Sequence, residues 1–268
     1  HCYIEYDDNG NGDLIYNSTS TDGGSTWSTP KPTSNSAHGL GGQPLVRADG
    51  TVIVPIANAS TTALISYHSS DGGQTWSASS PVSGIQHRRV HANMRDSNLP
   101  SAEIDGSGTV YVAWEDCRFR AGCSSNDIVI ATSSDGVTWS APSRVPIDPT
   151  SSSADHFIPG IAVDTTTSGA STHLALTYYF FPVAACTAAT CQLEVGQISS
   201  SSGLSGWGTA TTVTSSPMKS RWLANTSQGR MAGDYISTSF VSGSPIAAFE
   251  VATAPDSLFH EATAVAGT

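Results

Sequence analysis

Charge is scarce in this sequence. Asp, Glu, Lys and Arg make up 12% of the 268 residues, and only 11 are basic. A surface with so few ions must be built largely from Ser, Thr, Asn and Gly. The net charge of −11 argues against nucleic acid or an anionic membrane as the main partner, because both require a basic surface. Long apolar runs are also missing. The most apolar stretch, "HLALTYYFFPVAA" at 173–185, is shorter than the ~18 residues of a spanning helix and reads as a buried strand. No His/Cys set has metal-site spacing. The segment "YDDNGNGD" at 6–13 shares letters with a calcium loop but lacks its closing Glu and reads as a turn. Neither a metal nor a cofactor is expected.

Cysteine is sparse but patterned. Cys117 lies near Cys123, and Cys186 near Cys191. Neither pair has the company of a zinc site, and each is expected to staple a loop as a disulfide. Cys2 is left over. Acceptor patterns for N-glycosylation begin at Asn17, Asn58 and Asn225. Together these features point to a secreted, extracellular protein.

What the sequence does have is repetition. "STDGGSTWS" at 20–28 returns as "SSDGGQTWS" at 69–77 and, shortened, as "SSDGVTWS" at 133–140. A degenerate copy, "SSSGLSGWG" at 200–208, has lost its Asp. Asp22, Asp71 and Asp135 hold the same place in each good copy. Each copy follows an alternating strand, such as "ALISYHSS", and precedes a Pro-bearing segment. Two further strand-like runs lie upstream of the second and third copies. The unit is therefore strand, strand, strand, box, strand. Four-stranded sheets repeating at ~40–50 residues are β-propeller blades. Turn chemistry explains the box: Asp accepts backbone N–H groups, Gly supplies positive φ, and Trp27, Trp76 and Trp139 are expected to be buried at equivalent places.

The pattern S-x-D-x-G-x-T-W resembles the Asp-box, or BNR repeat, of the sialidase superfamily. That resemblance implies an all-β, six-bladed propeller of antiparallel four-stranded blades. About five units are visible, over residues 1–30, 42–82, 98–146, 156–214 and 230–268, with both end blades incomplete. The expectation is one propeller domain over 1–268 that lacks an upstream segment. The boxes share one face with the turns between first and second strands. The other face carries the loops between blades and between second and third strands, and the resemblance implies that the active site lies there.

Most of the scarce cations fall in loops of that second face. Arg88, Arg89 and Arg95 lie in "HRRVHANMRDSN", Arg118 and Arg120 in "EDCRFRAGC", and Arg221 and Arg230 in "KSRWLANTSQGR". His87, His91 and His156 join them. Guanidinium forks suit a carboxylate or sulfate. Arg88, Arg89, His91, Arg118, Arg120, His156, Arg221 and Arg230 are the candidate substrate-binding residues, with about half of the arginines expected to pair with Asp116, Asp155 or Asp234 instead. In sialidases a catalytic Tyr stands at a place similar to Tyr235 in "GDYISTSF". The resemblance thus implies Tyr235 as nucleophile, and Glu115, Asp116, Glu250 and Asp234 are candidate carboxylate partners by loop position. Tyr178, Tyr179 and Trp222 are candidates for a sugar platform. The Arg-Ile-Pro segment that opens sialidase domains is absent. The functional expectation is a glycosidase acting on a carboxylate-bearing terminal sugar. The alternatives are a lyase on uronate-containing glycans and a non-catalytic, lectin-like glycan binder.

Overall fold

The computed structural model describes residues 1–267 and, among them, contains strands and short 3-10 turns but no α-helix. The first sheet holds β1 (Cys2–Asp8), β2 (Leu14–Ser20) and β3 (Lys31–Pro32). The second joins β4 (Gly39–Leu40) and β5 (Leu45–Val46), a broken inner strand, to β6 (Val52–Asn58), β7 (Ala63–Ser69) and β8 (Ser80–Gly84). The third runs in chain order through β9 (Ser101–Ile104), β10 (Val110–Asp116), β11 (Asp127–Ser133) and β12 (Ser143–Arg144). The fourth does the same through β13 (Asp155–Val163), β14 (Leu174–Phe181), β15 (Gln192–Ser200) and β16 (Thr211–Thr212), with β17 (Met218–Lys219) pairing beside it on β15. A small ribbon of β18 (Asn225–Thr226) and β19 (Gly229–Arg230) precedes the last sheet, formed by β20 (Ser237–Val241), β21 (Ser244–Thr253) and β22 (His260–Gly267). All the strand pairs are antiparallel, the meander of propeller blades.

The core lies between sheets rather than inside one. Ile15 packs with Val54, Tyr67 and Trp76 across the first two sheets, and Ile53 and Leu64 with Val112 and Val129 across the next two. Ile128 and Ile130 meet Leu174 and Leu176, and Phe157 and Tyr179 meet Ala247 and Phe249. Central strands are therefore covered on both faces, which is why β6 and β10 read as near-continuous apolar runs. Inner strands β9, β13 and β20 stand side by side about the axis. Asn17 is buried and accepts a hydrogen bond from Tyr67 Oη at 3.0 Å, so the first glycosylation pattern is a core residue.

The boxes form as turn chemistry requires. Asp71 Oδ1 accepts the Thr75 N–H at 2.9 Å and Oδ2 the Thr75 hydroxyl at 2.6 Å, while Ser69 Oγ accepts the Gly73 N–H at 2.8 Å. The bonds from Thr75 hold the Asp71 carboxyl down at about 2. Gly73 has φ 81°, and a Cβ there would fall 2.0 Å from Thr19 Oγ1 of the preceding sheet, so both conformation and packing demand glycine. The degenerate copy is still a turn, with Ser200 Oγ donating to Gly203 O.

The tryptophans are not equivalent. Trp76 is 4% exposed and packs edge-on to Tyr3 of the preceding sheet. Trp139 is half-buried and donates to Ser66 Oγ of its preceding sheet at 3.0 Å. Trp27 is 39% exposed, and its Nε1 turns back to Gly24 O. Each box Trp is sealed by the blade before its own, and among the described residues no sheet precedes that of Trp27. Urea unfolding should therefore rank the substitutions. Trp76→Ala is expected to cost about 3–5 kcal/mol, Asp71→Ala about 1–2 kcal/mol through its lost hydrogen bonds, and Trp27→Ala under about 1 kcal/mol. Equal losses at Trp27 and Trp76 would contradict this packing.

Candidate functional site

The second face is anchored by buried ion pairs, and these account for much of the predicted arginine set. Arg118 lies flat on Asp116, Nε to Oδ1 at 2.8 Å and Nη2 to Oδ2 at 2.7 Å. Asp116 also accepts the Gln86 N–H and the Trp114 indole N–H. It is fully buried and saturated, which takes it out of the catalytic candidates. Arg120 is buried against Asp127 and Asp148, both at 2.6 Å, and Arg144 joins the same two carboxylates. Arg118 and Arg120 therefore hold loops and do not face a shared pocket. His156 is buried between Tyr178 and Phe180, and burial lowers its basicity. Tyr178 and Tyr179 are core residues, and Trp222 lies under Lys219; they form no shared sugar platform. Arg221 is exposed beside Trp222 and Pro255 in a separate cleft. The predicted disulfides, Cys117–Cys123 and Cys186–Cys191, are present, and Cys2 is free.

What does converge is a pocket of about 390 Å³ lined by His87, Arg89, Arg95, Asp96, Ser97 and Gln228. Its wall is the loop between the second and third sheets, stitched to the β18–β19 ribbon. Arg95 N donates to Arg230 O and Arg230 N to Asn93 O, each at 2.8 Å. Gly229 permits this approach, since a Cβ there would lie 2.6 Å from Asn93 O. The Arg230 guanidinium turns away to Leu223 O. Arg95 grips Asp234 with two bonds of 2.6 Å. Arg89 makes a single bond of 3.0 Å, to Asn93 Oδ1, and Arg88 contacts His91 at 2.7 Å. His91 in turn sits at 3.3 Å from Cys186 O, against the second disulfide loop.

The floor is acidic. His87 Nε2 stands 3.1 Å from Asp96 Oδ2 and 3.0 Å from Glu115 Oε1. Burial disfavours the imidazolium, but the two carboxylates outweigh it and carry His87 up to about 10. Glu115 is 1% exposed; burial raises its pKa against the pull of His87. Its Oε2 accepts the Ile158 N–H at 2.8 Å. Ile158 adopts φ 49° where β13 shifts register. A β-branched residue in that region is strained, and here the strain aims an N–H at Glu115. Asp155, beneath, rises to about 7, mainly through burial.

Tyr235 is tied to the pocket through Asp234, which the pocket-lining Arg95 holds. It precedes β20, follows the clamped Asp234 and is 57% exposed. Its hydroxyl lies over Gly41, where a Cβ would come within 3.0 Å of it. The neighbouring Gly42 abuts Glu5: a Cβ there would fall 2.6 Å from Glu5 Oε2. Burial, then Asp7, pushes Glu5 up to about 7. Burial, then Asp234, Glu5 and Asp7, raises Tyr235. The carboxylates that act on the predicted tyrosine are thus Asp234, beside it in sequence, and Glu5 and Asp7 on β1, with Glu115 and Asp116 not among them. The sequence hid Glu5: "CYIEYDD" reads as a half-exposed strand, and only the fold lays Gly42 against it.

These features define an Asp-box β-propeller. The chain matches the BNR repeat-like domain over residues 7–158, more than half its length, and belongs to that family. No curated protein sequence matches it. Among solved structures, it is similar to a Penicillium chrysogenum α-L-arabinanase complexed with arabinobiose, at 14% identity and TM-score 0.53, covering 88% of this chain and 66% of that one. It is similar to an ulvan lyase bound to -[GlcA(1-4)Rha3S]-, at 13% identity and TM-score 0.54, covering 92% and 61%. A Dyadobacter fermentans protein of unknown function is also similar, at 18% and 0.53, covering 94% and 63%. The chain therefore spans under two thirds of the length of these structures. At such identities the likeness is one of fold.

Glu5 gives the site a pH signature. Because its folded pKa lies above the unfolded value, the native state holds the extra proton between about pH 4.5 and 7. Stability falls as pH rises through that window, by up to about 3 kcal/mol. Glu5→Gln should match the wild type at pH 4 and exceed it at pH 8 in thermal unfolding. A gap between the two proteins that does not widen with pH would contradict the burial of this carboxyl.

Proposed function

We propose that the protein is a secreted carbohydrate-active enzyme that hydrolyses the glycosidic bond of a carboxylate-bearing terminal sugar. The observation that carries this reading is an Arg-lined pocket, at Arg89 and Arg95, whose Arg95 grips the Asp234 that precedes Tyr235, together with Glu5, a carboxyl with its pKa near 7 that acts on the Tyr235 hydroxyl. A Tyr nucleophile needs a base, and a base is most effective with a pKa near the working pH. Glu5 takes the Tyr235 proton, and the phenolate oxygen attacks the anomeric carbon. Asp7 lies two residues along β1 on the same face as Glu5 and adds to the negative field on Tyr235. Arg89, held by a single side-chain bond, is the guanidinium available to a substrate carboxylate. Arg95, clamped to Asp234, orients the loop and adds positive potential. Of the candidate set Arg88, Arg89, His91, Arg118, Arg120, His156, Arg221 and Arg230, this reading keeps Arg89 as the substrate-facing guanidinium.

One observation favours a second reading, a lyase on uronate-containing glycans. Only two guanidiniums line the pocket, and the similar ulvan lyase is bound to a glucuronate-containing fragment. There Arg would neutralise the carboxylate, and Tyr235 would transfer the proton.

The test is a panel of sialosides and uronate-ended glycans. Tyr235→Phe should lower kcat by about 10²–10⁴-fold with KM little changed. Arg89→Ala should mainly raise KM. Full activity in Tyr235→Phe rejects the nucleophile. An unsaturated, ultraviolet-absorbing product moves the reading to a lyase, and glycan binding without turnover moves it to a lectin.

A further inference from the structure

His87, Asp96 and Glu115 bring one imidazole nitrogen and two carboxylate oxygens together, all within 4.8 Å of one another. The contacts to Nε2, at 3.1 and 3.0 Å, are short, yet they do not satisfy the groups involved. Nε2 and Glu115 Oε1 are both buried and have no hydrogen-bond partner of acceptable direction. A single N–H cannot point at two acceptors at once. Glu115 is 1% exposed, and a buried carboxylate oxygen left in this state is costly unless something else meets it.

A second cluster in the same protein serves as an internal control. Asp127, Asp148 and His156 also lie within ligand distance of one another, but Arg120 and Arg144 fill the space between their carboxylates. At the first cluster, among the described residues, no ion pair of Asp96 or Glu115 involves Lys or Arg. The outer oxygen of Glu115 is held by the Ile158 N–H, and Asp96 Oδ2 also accepts the Val90 N–H at 2.7 Å. Such bonds orient carboxylates toward a shared centre.

We propose that His87, Asp96 and Glu115 bind one divalent transition ion, zinc or manganese, on the floor of the second-face pocket. One nitrogen and two oxygens suit these borderline ions. Calcium prefers six to eight oxygens, which this set does not supply. His87 Nε2 lies 3.1 and 3.0 Å from the two carboxylate oxygens, and all three donor atoms lie within 4.8 Å of one another, close enough for one ion to meet all three at ~2.0–2.2 Å. His87 and Asp96 line the pocket, so the open coordination positions face it, where a sugar hydroxyl or carboxylate could complete the shell. The proposal does not depend on the hydrolase reading.

The test is calorimetric titration of the full chain, stripped with a chelator and dialysed, with Zn²⁺, Mn²⁺ and Ca²⁺ separately. One Zn²⁺ or Mn²⁺ per chain is expected, with affinity falling at least about 10-fold in both Glu115→Gln and Asp96→Asn and unchanged in Asp148→Asn at the control cluster. Circular dichroism establishes folding of each variant. Should a variant not fold, the visible absorption of Co²⁺ in the wild-type protein, its bands lost on adding Zn²⁺, reads the same site. Binding of none of the three ions at millimolar concentration, binding of Ca²⁺ alone, or undiminished affinity in the folded variants overturns the assignment. None of these outcomes depends on glycan turnover, so failure here leaves the hydrolase test intact.

Discussion

The second face depends on the neutralisation of buried carboxylates by guanidinium. Asp116, Asp127 and Asp148 lie in or beside long loops that contribute little apolar surface. Each is matched by an arginine from the same face. Breaking one such pair leaves a buried, unpaired charge, which is far more damaging than the pair's net worth suggests. In a protein with only 11 basic residues, this commits several arginines to architecture. The two short disulfides secure two loops of the same face.

That commitment shapes the site. Arg89 is left with one side-chain bond, and Arg95 with one carboxylate. The pocket floor is buried and acidic, so Asp155 and Glu115 are raised, chiefly by burial. Titratable groups pushed apart by burial and by one another are characteristic of functional sites. The strained Ile158 and the left-handed Ala92 and Asn93 lie in the segments that wall the same basin. A pre-organised polar floor, linked through Arg95 and Asp234 to an exposed tyrosine, is an arrangement suited to chemistry on a polar ligand.

The fold was legible because its signal is local. Asp, Gly and Trp at fixed offsets encode a turn whose hydrogen bonds close within a few residues, so Asp71 and its turn behave as read. Trp27 departs from the pattern because its burial depends on a neighbouring blade rather than on its own. Site legibility follows the same rule. The crowding of arginines into second-face loops was visible, but which carboxylate each meets is a long-range matter: Arg95 and Asp234 are distant in sequence. Glu5 was missed because its environment comes from Gly42 on the next sheet. The His87, Asp96 and Glu115 set was missed because two residues of one loop and one strand end share no spacing that a motif would capture. Asp116, a catalytic candidate by position, and Arg118, a substrate-binding candidate, are partners of each other.

The central claim is that the ligand site is the Arg-lined basin opposite the boxes. A crystal structure of the protein soaked with a uronate-ended oligosaccharide tests it most directly. The account predicts the sugar carboxylate at Arg89, with the ring extending toward Tyr235. The competing location is the hollow of about 430 Å³ on the box face, where Glu103 and Asp164 line the wall. Sugar bound there, with the second face empty, would contradict the account.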